Sequence, residues 1–398
     1  MNPSRTEQNN MTSHTFHRDR FTWLAYLLLA FFSYFLNVLG PITPFLKDEL
    51  KLSYTVSSLH FTAFAIGILL IGFFGHNVIQ RIGRRRALWL GAFGMSVSAL
   101  ILISGQTAAL TIGASLCMGL IGSLILVIIP SALSDQHRHS RAVAISEANV
   151  ISSLVSTAAP LMVGWTAALP GGWRLALGIV ALAPLFMRFG FGDAAPPQPV
   201  LTQEDSASAD SARGSLPVLF WVYWVAIVLA VSVEFCMISW SADYLENSLN
   251  MPRVNAAQSV SLFLAAMIIG RMSVSRLVQR FPVLNVVIAS IVLAGIGFAL
   301  FWTTSISILG LTGLFVIGLG VAGMYPLLLS LAIGVAHNNT TQASARATLA
   351  SGTAILALPL VLGRLADMIG IRQAYGVVGV LLIGVFLIVL TTRKKVSA

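Results

Sequence analysis

The chain has 398 residues, 57% hydrophobic and 10% charged, with a net charge of +10 and a mean hydropathy of +0.85. Soluble domains carry about 25% charged residues, so this chain has too few to cover a water-facing surface, and its main solvent is lipid. The basic excess therefore belongs to loops beside membrane spans, not to nucleic-acid binding, which uses water-soluble domains rich in Lys and Arg.

Residues 1–20 are polar and hold no apolar core before Phe21, so no cleavable leader is expected and the first apolar run should persist as a span. A spanning helix needs about 20 apolar residues. Runs of that kind predict twelve, at 21–46, 54–79, 87–104, 107–133, 142–167, 173–190, 218–245, 254–278, 283–303, 306–336, 341–366 and 371–392. The tenth carries Gly318, Gly320, Gly323 and Pro326, which predict a bend, because proline removes a backbone donor and glycine lets helices approach. Between the sixth and seventh, "FGDAAPPQPVLTQEDSASADSARGSLP" (191–217) is rich in Pro, Ala, Ser and acids and reads as a linker. The organisation is then a tail (1–20), a six-span half (21–190), the linker, a second half (218–392) and a tail (393–398).

Loop charge sets the orientation. With the N-terminus inside, 17 of the 24 Lys and Arg residues are cytoplasmic and six lie opposite, leaving Arg271 within a span. The positive-inside rule accepts this arrangement and rejects its inverse. Both termini are then cytoplasmic.

The halves echo each other at an offset of 199. "VIQRIG" at 78–83 aligns with "LVQRFP" at 277–282, and Gly119, Pro160, Gly164 and Gly171 align with Gly318, Pro359, Gly363 and Gly370. Such coincidences at one offset indicate duplication, and two parallel six-span halves are one known transporter architecture.

Four arginines crowd the turn after the second span, in "HNVIQRIGRRR" (76–86). This stretch resembles the signature Gly-x-x-x-Asp-Arg-x-Gly-Arg-Arg of the major facilitator superfamily. Arg81, Gly83, Arg84 and Arg85 fit; the leading glycine is one place early, as Gly75, and Gln80 replaces the acid. "GRMSVSRLVQRF" is a weaker copy in the second half, and "GRLADMIGIRQAY" (363–375) resembles the family's turn between the last two spans. The resemblance runs from Phe21 onward and implies an all-α membrane protein of twelve helices in two pseudo-symmetric halves. It also implies that the basic turn braces the cytoplasmic ends of the halves in the outward-open state. Gln80 forms no ion pair, so a weaker brace follows. The residues themselves suggest that Gly83 permits a sharp reversal and that the arginines fix topology.

Charges at membrane depth are costly and usually functional. Glu234 falls near the middle of the seventh span, where a lone carboxylate suits proton binding and release. The resemblance implies that the first and seventh spans line a central cavity, so Glu234 is expected to face Asn37 and Tyr34. Glu147 on the fifth span and Arg271 on the eighth lie at similar depths from the cytoplasmic side. In the family's fold these spans face each other, so a Glu147–Arg271 bridge is expected to close that side. Trp240 and Tyr325 are candidates to stack on a substrate ring, and His60 to line an outer path. Asp243 and Glu246 end the seventh span and read as solvated rim residues. "AAPLMVGW" around Pro160 departs from the family's antiporter pattern, which wants Gly-Pro followed by paired glycines.

No nucleotide loop, zincin motif or serine elbow occurs, so neither a cofactor nor enzyme activity is expected. Cys117 and Cys236 lie inside separate apolar runs and form no metal spacing, and "DQHRHSR" (135–141) reads as a solvated turn. The expectation is a monomeric transporter in the cell inner membrane, moving a small organic solute such as a sugar or organic acid by proton-coupled symport. The alternatives are a proton-driven exporter of amphipathic molecules, and a receptor or assembly factor that kept the fold without transport.

Overall fold

The computed structural model describes residues 17–197, 216–336 and 340–396. Most of the linker lies outside this range. Among the described residues, twelve helices are long and apolar enough to cross a membrane: α1 (Arg20–Leu50), α2 (Tyr54–Ile82), α3 (Arg84–Ser104), α4 (Ala108–His137), α5 (Val143–Ala167), α6 (Arg174–Phe191), α7 (Val218–Leu249), α8 (Arg253–Leu277), α9 (Val283–Thr303), α10 (Ser307–Gly334), α11 (Leu349–Ile369) and α12 (Ile371–Thr392). Each coincides with a predicted run.

Local chemistry sets the ends. Asp19, Ser53 and Thr107 precede α1, α2 and α4, and each side chain accepts a hydrogen bond from an early backbone N–H that has no partner within the helix. α1 runs one turn past its apolar stretch and stops at Lys51, which adopts the left-handed conformation; α7 likewise continues to Asn250. Gly83 separates α2 from α3 with φ of 85°, a backbone that glycine adopts without steric cost. The predicted bend in α10 is an interruption between Val321 and Met324. Pro326 cannot donate to the Ala322 carbonyl, which accounts for the break. α6 breaks at Leu182, ahead of Pro184, for the same reason.

The halves pack alike. α1 lies on α5, α2 and α3 on α4; six places later α7 lies on α11, α8 and α9 on α10. Between halves α2 packs on α11 and α8 on α5, again equivalent pairs. The aligned glycines show the repeat in atomic detail. A Cβ on Gly119 would clash with the carbonyl of Phe64, and one on Gly318 with that of Phe263. Phe64 and Phe263 are themselves 199 residues apart. Gly164 sits against Gln258 of α8, and Gly363 against Tyr54 of α2. Duplicated glycines therefore bring duplicated helix pairs together.

The bundle has a linker end, where α1 starts and α6 stops, and a far end, where α1 stops and α2 starts. Among the described residues, every hydrogen bond and ion pair between the halves lies in the far-end half of the bundle. Lys47 of α1 pairs with Asp243 of α7, and Arg253 of α8 pairs with Asp48 of α1 and, at 2.7 Å, with Glu246. Asp367 of α11 accepts hydrogen bonds from the Tyr54 and Thr55 amides at the start of α2, both at 2.8 Å. Asp243 is wholly buried, contrary to the expectation of a solvated rim, and Glu246 is largely covered. The extra turns of α1 and α7 bury these charges against one another. The far end is closed.

Candidate functional site: a cavity between the halves

A cavity of about 110 Å³ lies between α1, α5, α7 and α8. Each helix presents one face to it. α8 contributes Leu264, Met267, Ile268 and Arg271, a stripe at helical spacing; α5 contributes Ser153, Ser156 and Thr157 at the same spacing. α7 brings Glu234, Phe235 and Ile238, and α1 brings Leu36 and Asn37.

Glu234 stands at the middle of α7. The Arg271 guanidinium nitrogen Nη2 lies 3.7 Å from Glu234 Oε1. That is ion-pair distance but too long for a hydrogen bond. The two side chains are unequally covered: Glu234 is 17% exposed and Arg271 49%. Asn37 donates its amide to the Ser33 carbonyl at 2.9 Å and to the Ser156 hydroxyl at 3.2 Å. Thr157 donates to the Ser153 carbonyl at 2.9 Å. Glu234 and Arg271 are the only ionisable groups lining the cavity among the described residues.

The structure thus brings Glu234 and Asn37 to one cavity and adds Arg271. It does not bring Tyr34 there: that ring is buried, and its hydroxyl donates to the Ala176 carbonyl of α6 at 2.9 Å. Trp240 is buried towards the far end, donates to the Pro359 carbonyl at 3.0 Å and packs on Tyr54 and Phe61 of α2. It joins the halves and does not line this cavity. Tyr325 packs half-buried against the core and does not line the cavity. His60 is buried between α2 and α4, with Nδ1 3.0 Å from the Ser57 carbonyl and Nε2 2.9 Å from the Thr111 hydroxyl.

The expected Glu147–Arg271 bridge is not the pairing found. Glu147 holds Arg18, just before α1, through hydrogen bonds of 2.8 and 2.5 Å, and accepts a third from the Tyr26 hydroxyl at 3.1 Å. Arg271 faces Glu234 instead. The carboxylate beside it raises the Arg18 pKa further above its usual value. At the basic turn, Arg84 donates to Asp135 at 2.6 Å and to the Pro197 carbonyl at 3.1 Å, and Arg85 to the Gly192 carbonyl at 2.6 Å. Gln80 reaches His76 one turn back, at 2.8 Å. Arg81 is exposed. These contacts stay within the first half and the start of the linker.

Sequence reasoning missed the hydroxyl stripe on α5, the Arg18–Tyr26–Glu147 cluster and the far-end charges. Ser153, Ser156 and Thr157 carried a signal: polar side chains sharing one face of an apolar helix.

The family model of the Major Facilitator Superfamily matches residues 22–359. An uncharacterized MFS-type transporter of Yersinia pestis is 26% identical over 167 residues, 42% of this chain and 44% of that protein, so the match spans less than half of the relative's length. Among solved structures, a bacterial homolog of the human lysosomal transporter Spinster, in an inward-facing and occupied conformation, superposes with a TM-score of 0.78 at 14% identity, covering 94% of this chain and 96% of that one. The nucleoside transporter NupG superposes with a TM-score of 0.72 at 12% identity, covering 95% and 98%. The chain belongs to the major facilitator superfamily, and its fold is that of the family's secondary transporters.

Proposed function

We propose that the protein is a secondary active transporter that moves a small organic solute by alternating access, coupled to proton symport through Glu234. One observation carries this reading: an acid at mid-span, in a cavity between two duplicated halves that are sealed at one end. Intramembrane acids facing such cavities mark ion and proton pathways. With the linker end cytoplasmic and the protein a monomer in the inner membrane, the present state faces inward. Rocking of the halves would break the far-end charges and expose Glu234 to the other side.

In the opposite state α5 and α8 approach at the linker end. Arg271 has five donors, so Glu147 can bind its outer edge there and close the path, once released from Arg18. The turn at Gln80, Arg81, Gly83, Arg84 and Arg85 then meets the second half, with Gln80 supplying a hydrogen bond where the family has an ion pair. Tyr34, Trp240, Tyr325 and His60 act in this scheme by holding helices rather than by touching solute.

The test is transport by purified protein in liposomes. Glu234→Gln should abolish gradient-driven accumulation while solute exchange continues. Accumulation at the wild-type rate would remove Glu234 from coupling. The second reading, proton-driven export of amphipathic molecules, predicts transport only when the proton gradient opposes solute flux.

A further inference from the structure

This inference rests on the transport reading and narrows it. We infer that the solute is a small organic monoanion, a carboxylate with a short apolar body, which seats on Arg271 when Glu234 takes up a proton.

The lining carries one positive and one negative group, so either sign of solute has a potential partner. Accessibility separates them. Arg271 is half exposed, whereas Glu234 is recessed behind it. Among the described residues the guanidinium makes no hydrogen bond, and its one ionic partner stays 3.7 Å away. An unfilled, planar fork of donors fits a carboxylate through two parallel hydrogen bonds. A cationic solute would have to pass that fork to reach Glu234.

The remaining wall sets the size and polarity. The cavity, about 110 Å³, is smaller than the roughly 300–1,000 Å³ of drug-sized pockets. Phe235, Ile238, Leu264 and Met267 give it an apolar side. Its polar groups are largely engaged: Thr157 and Asn37 donate to backbone carbonyls of their own helices. A sugar carries hydroxyls around its whole ring, and those turned to the apolar side would be left unpaired, which is costly when buried. A short hydrocarbon finds a matching surface.

Coupling follows from charge. With Glu234 ionised, it competes for Arg271 and the cavity is neutral. Once Glu234 is protonated the competitor is gone and the cavity carries one positive charge. A monoanion restores neutrality. One proton on Glu234 and one anion on Arg271 therefore travel together, with no net charge moved.

The experiment is uptake by full-length protein in liposomes, with the pH gradient and the membrane potential set separately. Acetate, lactate, pyruvate and butyrate are compared with lactamide, glycerol, glucose and choline. The expected result is carboxylate uptake driven by the pH gradient and unchanged by the potential, with no uptake of lactamide or choline. Arg271→Lys, which keeps the charge but loses the fork, should weaken uptake about tenfold; the melting temperature of the variant checks its folding. Accumulation of a neutral or cationic solute without carboxylates overturns the inference and leaves transport standing. Uptake that follows the potential overturns the stoichiometry. If no solute of any class moves, and no proton with it, the transport reading falls as well.

Discussion

Lys47 of α1 and Asp243 of α7 form an ion pair across the two halves, with the carboxylate wholly buried and the ammonium 3.9 Å from the centroid of the Tyr54 ring. The pair joins two of the four helices that line the cavity deeper in the bundle. In the proposed cycle, opening the far end exposes it.

Removing one partner strands the other. Lys47→Met leaves Asp243 without its cation, which costs about 3–5 kcal/mol for a buried pair. In the opened state Asp243 reaches water, so the cost falls on one conformation and shifts the balance toward the other. Spin labels on the far-end loops should report longer distances in Lys47→Met. Lys47→Met combined with Asp243→Leu should recover much of the closed population, because two apolar groups replace the pair.

Asp367 caps α2 from the opposite half, taking both the Tyr54 and Thr55 amides and the Thr55 hydroxyl. Loss of such a cap costs about 0.5–2 kcal/mol. Asp367→Ala should therefore loosen the far end by less than Lys47→Met does, and Asp367→Asn should fall between Ala and wild type. The same label distances order the three.

Glycines at two kinds of interface should fail differently. Gly119 packs inside one half, against Phe64. Gly119→Ala should lower the melting temperature and the yield of folded protein. Gly40 packs across the halves, against the Ile238 carbonyl. Gly40→Ala should leave each half folded and push the far end open, seen as increased labelling of a cysteine placed beside Asp243.

In the proposed cycle Glu147 exchanges Arg18, its partner here, for Arg271. Arg18→Ala frees the carboxylate, so label pairs at the linker end should shift toward shorter distances. Glu147→Gln combined with Arg18→Ala should cancel that shift. The Arg18 effect should shrink in high salt, since both side chains are substantially exposed.

Much of the fold was legible because lipid imposes a simple demand: a long apolar run. The repeat was legible because close helix contacts need glycine at fixed places, as Gly119 and Gly318 illustrate. The polar contacts were harder. Glu234 read as mid-span and Arg271 as matching Glu147 nearer the cytoplasmic side, so their sequence positions put them at different depths. Two long side chains span that difference. Asp243 was misread because hydropathy treats a polar helix end as wet, although another helix end can cover it. Tyr34 shares a helix with Asn37 but turns its hydroxyl to α6, a choice set by a carbonyl 142 residues away.

The start of α1, the end of α12 and both sides of the linker all leave the bundle at one end. The connection between the halves therefore starts and finishes on one side of the bundle, with Ala194 and Leu216 at its two ends packed into the core. A permuted gene, with α7–α12 translated ahead of α1–α6 and a new tether joining α12 to α1, should yield the same bundle. Two separately expressed halves should assemble in one bilayer through the α2–α11 and α5–α8 seams and the α1–α7 contacts.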